Sequence, residues 1–519
     1  MRLPQPTAKG RALARELSRT ARVSCDPDDL WAASRDCWPR ALLWTKAGVA
    51  PYPPDVVAWP ASAGEVEAIV ALAAARQIPV VPIGGGSGVC GGAVPVQGGI
   101  ALDLKRLSGA PRIDLGTRTV DVEAGLPGLR LEELLQAQGA TLGHFPERRA
   151  STVGGWIATR SAGQCSSRYG KIEDMLLSLE AVDGTGAPLR TIDGPSAGPD
   201  LNQLFAGSEG TLGVITAARL RIWPKPTAQW LRAVRFPSMQ QGLRALRAIL
   251  KAGLRPSIAR LLDPLTTLLE GRSVPVPAPL RWVVEAGQQE ALRMALKAPL
   301  LLNRLVDALP ASCLLLLGFE SDSLAGQDDE CGEEGDHALG LCQAAQGEDC
   351  GPAPGERGLR DRYGAADQKA KLFAAGAFAD TLEVATTWDR VGSLERAVRH
   401  AVQGHAFVTA LYAHPQLEGC AIEFGLVGLA GMTAAAAATA SEDDNELDLE
   451  AAEARYDACT RAALSAVADE GATLSHHHGV GLARQQFLPR ELGEGMQQLR
   501  ALKRAFDPHG ILNPGKLLP

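Results

Sequence analysis

Three consecutive histidines, His476-His477-His478, stand inside the stretch GATLSHHHGVG. Imidazole has an unperturbed proton affinity near neutral pH, so such groups can carry protons or donate to anions. In an extended segment His476 and His478 point to one face and His477 to the other. The plain alternative is a polar surface turn. Adjacent side chains do not readily converge on one ion, and no separated partner shows ligand spacing, so no metal is expected.

A second kind of chemistry is written in glycine. Pro82-Ile83-Gly84-Gly85-Gly86-Ser87-Gly88 removes side chains from a turn, so that backbone N–H groups can approach a pyrophosphate. No Gly-Lys-Ser/Thr follows, and the third glycine opens no helix, so neither a Walker loop nor a Rossmann fingerprint is present. One such loop is a weak signal. Ser151-Thr152-Val153-Gly154-Gly155-Trp156, Thr159-Arg160-Ser161-Ala162-Gly163 and Gly207-Ser208-Glu209-Gly210-Thr211-Leu212-Gly213-Val214-Ile215 repeat the combination of small residues with hydroxyls or free N–H groups. Together they suit a large, flat, polar cofactor.

These segments need elements to hold them. Val56–Trp59 and Val80–Ile83 read as strands, joined by a helix with Ser62 as cap, Glu65 in its first turn and apolar residues at helical spacing from Val66 to Ala74. Strand, helix, strand and glycine loop in succession are an α/β signature. Short strands follow over 100–122, a helix over Leu129–Gln138, and strands over Asp174–Val182 and Val214–Trp223. Beyond Pro224–Pro226, long aliphatic helices are expected at Met239–Ala252 and Glu290–Leu309. Asp328–Glu356, acidic, Gly-rich and poor in large apolar residues, reads as a mobile surface loop. Thr433–Asn445 reads as a linker or helix lead-in, and residues 446–519 as mostly helical. The resulting division is 1–50, 51–226, 227–440 and 441–519.

At 519 residues the chain is too long for one core. Its net charge of -7 disfavours a nucleic-acid partner. The ten cysteines are scattered, without a CxxC pair, as in a reducing compartment. No run approaches the roughly 18 apolar residues of a membrane span. A cytoplasmic location is expected, with peripheral membrane contact and a homodimer left open.

The ordered series PIGGGSG, VEAG, STVGGW, TRSAG, EGTLGVIT and FDPHGILNPGK resembles the FAD-linked oxidases of the vanillyl-alcohol-oxidase and p-cresol-methylhydroxylase family. The resemblance covers nearly the whole chain from about residue 51. It implies an α+β fold: a two-part FAD-binding domain, an α+β cap domain for substrate, and a helical C-terminal segment packing back on the FAD domain. It also implies that Pro82–Gly88 takes the pyrophosphate. Pro146, Glu147, Ser151 and Thr152, with Thr159, Arg160, Ser161 and Ala162, would contact the flavin and its ribityl chain, and Glu209–Ile215 would close over the cofactor. The glycine loop lacks the histidine that some members link to flavin, so the FAD is expected to be non-covalent. Cys90, just past the loop, reads as a buried thiol.

Within the family, STVGGWIATRSAGQCSSRYGKIEDM, RPSIARLLD, EVATTWDRV and GATLSHHHGVG are most similar to the alkylglycerone-phosphate synthase branch. There the flavin N5 captures an acylated ketose phosphate, the acyl group leaves and a fatty alcohol replaces it, without net redox change. That likeness implies a small-molecule or lipid-like substrate and a catalytic role for His476–His478. The hydroxy-acid dehydrogenase branch fits less well: TALYAHPQLEGCAIEFGLVG has His414 but no second histidine at metal spacing. Two positions depart from the synthase pattern. The branch's catalytic tyrosine falls on Glu423, and its substrate-binding arginine on Lys369. Lysine can hold a phosphate without the bidentate fork; a buried glutamate can serve as a base. An FAD-linked oxidase or dehydrogenase of an alcohol or 2-hydroxy acid, and a flavin protein that has lost catalysis, are the alternatives.

Overall fold

The computed structural model describes residues 2–192, 197–270, 296–307, 312–322, 330–360, 372–373, 376–430 and 447–518. It divides into two compact units. One comprises Met1–Gly163, Gly170–Lys225 and His477–Pro519; the other comprises Gln164–Tyr169 and Pro226–His476.

The first unit begins with α1 (Ala8–Leu17) and β1 (Arg22–Ser24) and builds its first sheet from β2 (Val56–Trp59), β3 (Val80–Ile83) and β4 (Ile100–Asp103). The sheet order is β1-β2-β4-β3, with β2, β4 and β3 parallel. The crossover is α2 (Ala63–Arg76). It starts at Ser62 because the Ser62 hydroxyl accepts the Glu65 N–H and the Glu65 carboxylate accepts the Ala61 N–H. It stops at Gln77, which turns left-handed at φ 52°. Val66, Ile69, Val70 and Ala73 recur at helical spacing and bury against Val56, Ala58, Val80, Ile100 and Leu102 of the sheet. This packing fixes the end of β3, where the glycine loop emerges.

A second sheet of this unit is antiparallel, in the order β5 (Arg112–Asp114), β6 (Thr119–Glu123), β9 (Val214–Arg221), β7 (Leu176–Val182), β8 (Pro188–Arg190). Between β6 and β7 lies a helix that composition alone does not announce, α3 (Val153–Thr159). Its two glycines disguise it. Gly154 is there for packing: a Cβ would press on Ala124.

The second unit is built on one antiparallel sheet. Its strands are β10 (Ala228–Phe236), β11 (Ile258–Leu262), β12 (Cys313–Ser321), β13 (Glu348–Asp349), β14 (Ala377–Thr387), β15 (Phe407–Ala413) and β16 (Gly419–Leu429). Their order is β13-β10-β12-β11-β15-β16-β14. Its longer helices among the described residues are α4 (Met239–Lys251), α5 (Glu330–Ala344), α6 (Val391–Val402) and α7 (Leu449–Asp469). The Tyr456 hydroxyl of α7 donates to Asp380 on β14 at 2.8 Å, and its ring meets Phe378 edge-on.

The acidic stretch expected to be a loop is instead ordered: α5 covers Glu330–Ala344, and Ala353–Arg360 is a further helix. Small residues make the difference. Cys331, Ala338 and Cys342 form a buried stripe, and at Gly335 the helix backbone lies against the Trp230 indole, where a Cβ would clash. The apolar partner is supplied by the sheet rather than by bulky residues on the helix. Of Glu290–Leu309, residues 296–307 are described, and the single helix expected there is interrupted at Lys297–Ala298; a new helix starts at Pro299 and runs to Asp307. Thr433–Asn445 and Lys369 lie outside the described residues.

After His476 the chain re-enters the first unit and forms α8 (Gly495–Phe506). The terminal segment then runs beside β3: the Val80 N–H donates to the Ile511 carbonyl and the Asn513 N–H to that of Val80, each at 2.8 Å. The Asn513 amide also donates to the carbonyls of Gly92 and Glu209. Among the described residues no helix is long and apolar enough to cross a membrane.

Candidate active site

In the first unit the glycine-bearing segments come together. A Cβ on Gly84 would strike the Thr152 hydroxyl and one on Gly85 the Ala150 carbonyl, while one on Gly210 would lie 3.0 Å from the Pro82 ring. So 82–86, 150–155 and 209–211 are mutually packed. Gly86 is different: at φ 63° with open space around it, its requirement is conformational. Among the described residues no protein acceptor meets the N–H groups of Gly85, Gly86 or Ser87.

Many hydroxyls of these segments serve the protein itself. Thr152 caps α3 through the Gly155 N–H, and Thr159 donates to the Gly155 carbonyl. Ser151 donates to the Arg148 carbonyl and accepts the Trp156 indole N–H. Arg160 turns left-handed at the end of α3 and pairs with Glu173 at 3.1 Å. Ser161 lies 3.2 Å from Nε2 of His144. Pro146 and Glu147 stand on the preceding loop, and Ala162 is buried. The Thr211 hydroxyl returns to the Ser208 carbonyl, and Val214 and Ile215 open β9. The open N–H groups of the loop, the close backbone approaches and the buried, unpartnered Ser208 hydroxyl fit the demands of FAD: donors for phosphate and little bulk.

Glu209 is buried at φ 51°, and its carboxylate accepts the N–H groups of Val480 and Gly481 at 2.5 and 2.8 Å. It thus holds the chain just past the histidine run. Gly479 at φ 84° makes the turn, and residues 476–478 form a bend, not an extended segment. Alternating faces therefore do not apply: the rings of His477 and His478 touch, with centroids 4.6 Å apart. Cys90 is buried beneath the same turn, its carbonyl accepting the Leu482 N–H.

Three buried groups of the first unit escape the sequence reading. His144 is 2% exposed; burial, reinforced by the charge of His477, holds its imidazole down at about 3. Asp36 lies 3.5 Å from where a Gly88 Cβ would stand, its carboxyl raised by burial to about 6. Burial lowers Lys516 to about 8, against the pull of Asp36 and Glu209. His144 and Lys516 are lone polar residues among small or apolar neighbours, and Asp36 stands beside Arg35, each a weak signal in one sequence.

In the second unit Glu423 lies on β16 directly opposite Glu383 on β14. Directly paired residues share a face. Glu383 is fully buried, and both its oxygens lie 3.0 Å from the His476 N–H. One oxygen is 3.7 Å from His476 Nδ1. Likewise Glu423 and His414 bring an oxygen and a ring nitrogen within 4.8 Å. The His414 and His476 rings stack, 5.8 Å apart. Glu383 is a separated partner for His476, so the premise against a metal fails. Tyr412 does not stand in for the branch's tyrosine. It pairs with Ile422, one residue out of phase with Glu423, and so faces the opposite side, toward Glu395 and Arg399.

Two family models match the chain: the FAD binding domain over residues 54–191 and the FAD linked oxidases' C-terminal domain over 225–517. The chain belongs to the FAD-linked oxidase family and is an FAD-dependent enzyme. It is 28% identical over 494 residues to an alkyldihydroxyacetonephosphate synthase of Dictyostelium discoideum, covering 92% of this chain and 76% of that one. It is 26% identical to a glycolate oxidase subunit of Bacillus subtilis, covering 89% of each. A solved alkyldihydroxyacetonephosphate synthase superposes with a TM-score of 0.74 at 24% identity, over 99% of this chain and 86% of that one. Substrate-bound p-cresol methylhydroxylase does so with 0.70 at 17%, over 99% and 98%. The fold is thus the α+β architecture of the p-cresol-methylhydroxylase type.

Gly85→Ala tests the loop. The added methyl has only backbone to displace, an overpacking cost of about 1–3 kcal/mol. Weaker FAD retention is expected, read as a rise in the ratio of protein to flavin absorbance after gel filtration. An unchanged ratio would place the cofactor's phosphates elsewhere.

Proposed function

We propose that the chain exchanges the acyl group of an acylated dihydroxyacetone phosphate for a fatty alcohol, using non-covalently held FAD. The observation that carries this reading is the pair of carboxylate–imidazole couples on one face of the second unit's sheet. The exchange forms a C–O bond to the alcohol, breaks the C–O bond to the acyl group as a carboxylate, and releases one proton. It therefore needs a base for the alcohol and cationic or N–H donors for the phosphate. Bound FAD would supply the electron-pair chemistry at the ketose carbon. Glu423, partly exposed and beside His414, takes the alcohol proton; the imidazole passes it on. His476, His477 and His478, with Lys369, are the proposed donors to the phosphate.

Resemblance to the Dictyostelium synthase over 92% of the chain supports the substrate class. The test is incubation of the FAD-loaded protein with acyl-dihydroxyacetone phosphate and labelled fatty alcohol. Label in an ether-linked phosphate, with free fatty acid released, is expected. No incorporation, with flavin bleaching by a 2-hydroxy acid instead, would favour the oxidase reading that the glycolate oxidase likeness also supports.

A further inference from the structure

Glu383 has a feature that strand formation does not require. It sits in the strand ADTLEVATT at 0% exposure, a fully buried acid between the apolar Leu382 and Val384 in the chain. Beside it the chain adds a short pairing to β14: Ala385 and Thr473 exchange backbone hydrogen bonds. That bridge brings Ser475 and His476 alongside Glu383. The carboxylate accepts the His476 N–H with both oxygens, lies 3.4 Å from the Ser475 hydroxyl, and faces His476 Nδ1 at 3.7 Å.

A neutral acceptor would satisfy one N–H and one hydroxyl at lower desolvation cost. A negative charge in a dry site gains most from a group that can be positive, and the imidazole is that group. Glu423 directly across the sheet makes the argument stronger, because like charges on paired positions repel. Two stacked imidazoles accompany the two acids, one for each: His476 with Glu383, His414 with Glu423.

We propose that Glu383 is a positioning residue: it fixes the backbone and ring of His476, turning Nδ1 inward and Nε2 outward, and through the stacked ring it sets His414 against Glu423. The nitrogen that faces the carboxylate determines the tautomer, and so what the other nitrogen can do. This rests on the functional reading above, in which His476 and Glu423 are working groups.

The test uses FAD-loaded, full-length protein with ring-labelled histidine. Nine histidine signals are available, and those of His414 and His476 are assigned by single substitution. Glu383→Gln keeps an acceptor for the N–H and removes the charge; FAD content should hold while both ring signals shift. Glu383→Asp keeps the charge and should leave the signals nearer wild type. Unmoved signals in Glu383→Gln, or an equal shift in Glu383→Asp, would overturn the proposal. In the exchange assay Glu383→Gln should lower kcat roughly 10–100-fold, as loss of an orienting partner of a working histidine does, with KM little changed. A wild type without exchange activity would sink the functional reading yet leave the ring-signal comparison decisive for Glu383.

Discussion

Glu423→Gln is expected to cut turnover in the alcohol-exchange assay by about 10²–10⁴-fold, the usual contribution of a positioned general base. The amide is nearly isosteric, so the pairing of β16 with β14 and β15 should survive. FAD content should not change, because Glu423 belongs to the second unit and the glycine-loop segments to the first. The effect should fall on kcat, since the proton is taken only as the new bond forms. Glu423→Tyr is the informative companion, placing at this position the residue type of the synthase branch. A Glu423→Gln enzyme that turns over like wild type would remove the base from Glu423. Loss of FAD together with activity would make the residue structural.

The second large effect concerns pH. The His144 imidazole titrates near 3 in the folded protein, because burial, and then His477, penalise its charge. In the unfolded chain it titrates at about 6.5. The folded value is the lower, so the unfolded chain takes up the proton first as pH falls. Stability is fully present above about 6.5 and declines toward 3, at about 1.4 kcal/mol per pH unit and roughly 5 kcal/mol in all. Asp36 acts in the opposite direction. Its folded value of about 6 exceeds the unfolded one of about 3.9, so stability rises as pH falls through that window. The two nearly cancel there, and the wild-type curve alone would conceal both. His144→Phe should separate them. Its stability relative to wild type should rise by about 2 kcal/mol from pH 6.5 to 5, read from denaturant midpoints. Asp36→Asn should show the reverse trend. A pH-independent difference for His144→Phe would mean that its imidazole is hydrated in the folded state.

How much of this was legible in the sequence follows from range. The Ser62 cap, the spacing of Val66, Ile69, Val70 and Ala73, and the strands that flank them are local, and they were readable. The close approaches of Gly84 and Gly85 were readable as glycine, but not their cause, which is the chain at 150–152. The burial of α5 is not legible locally, because it depends on Trp230, about a hundred residues earlier. The role of Glu383 is hidden for a related reason. An acid in a buried strand signals a buried partner, but the partner, the His476 N–H, is brought there by the Ala385–Thr473 bridge. The bend at 476–478 likewise depends on Glu209, 271 positions upstream of Val480. The histidines themselves were plain; which way each ring points was not.

The strip of chain at 511–513 beside β3 has a consequence for synthesis. Asn513 holds the carbonyl of Gly92, 421 positions away. A ribosome has therefore translated through residue 513 before the edge of β3 can be covered. Until then the nascent chain carries β3 with an open edge and the neighbours of Lys516 unmet. A chain lacking Ile511 and Leu512 would leave the apolar surface around Val80 and Ile100 exposed to proteases.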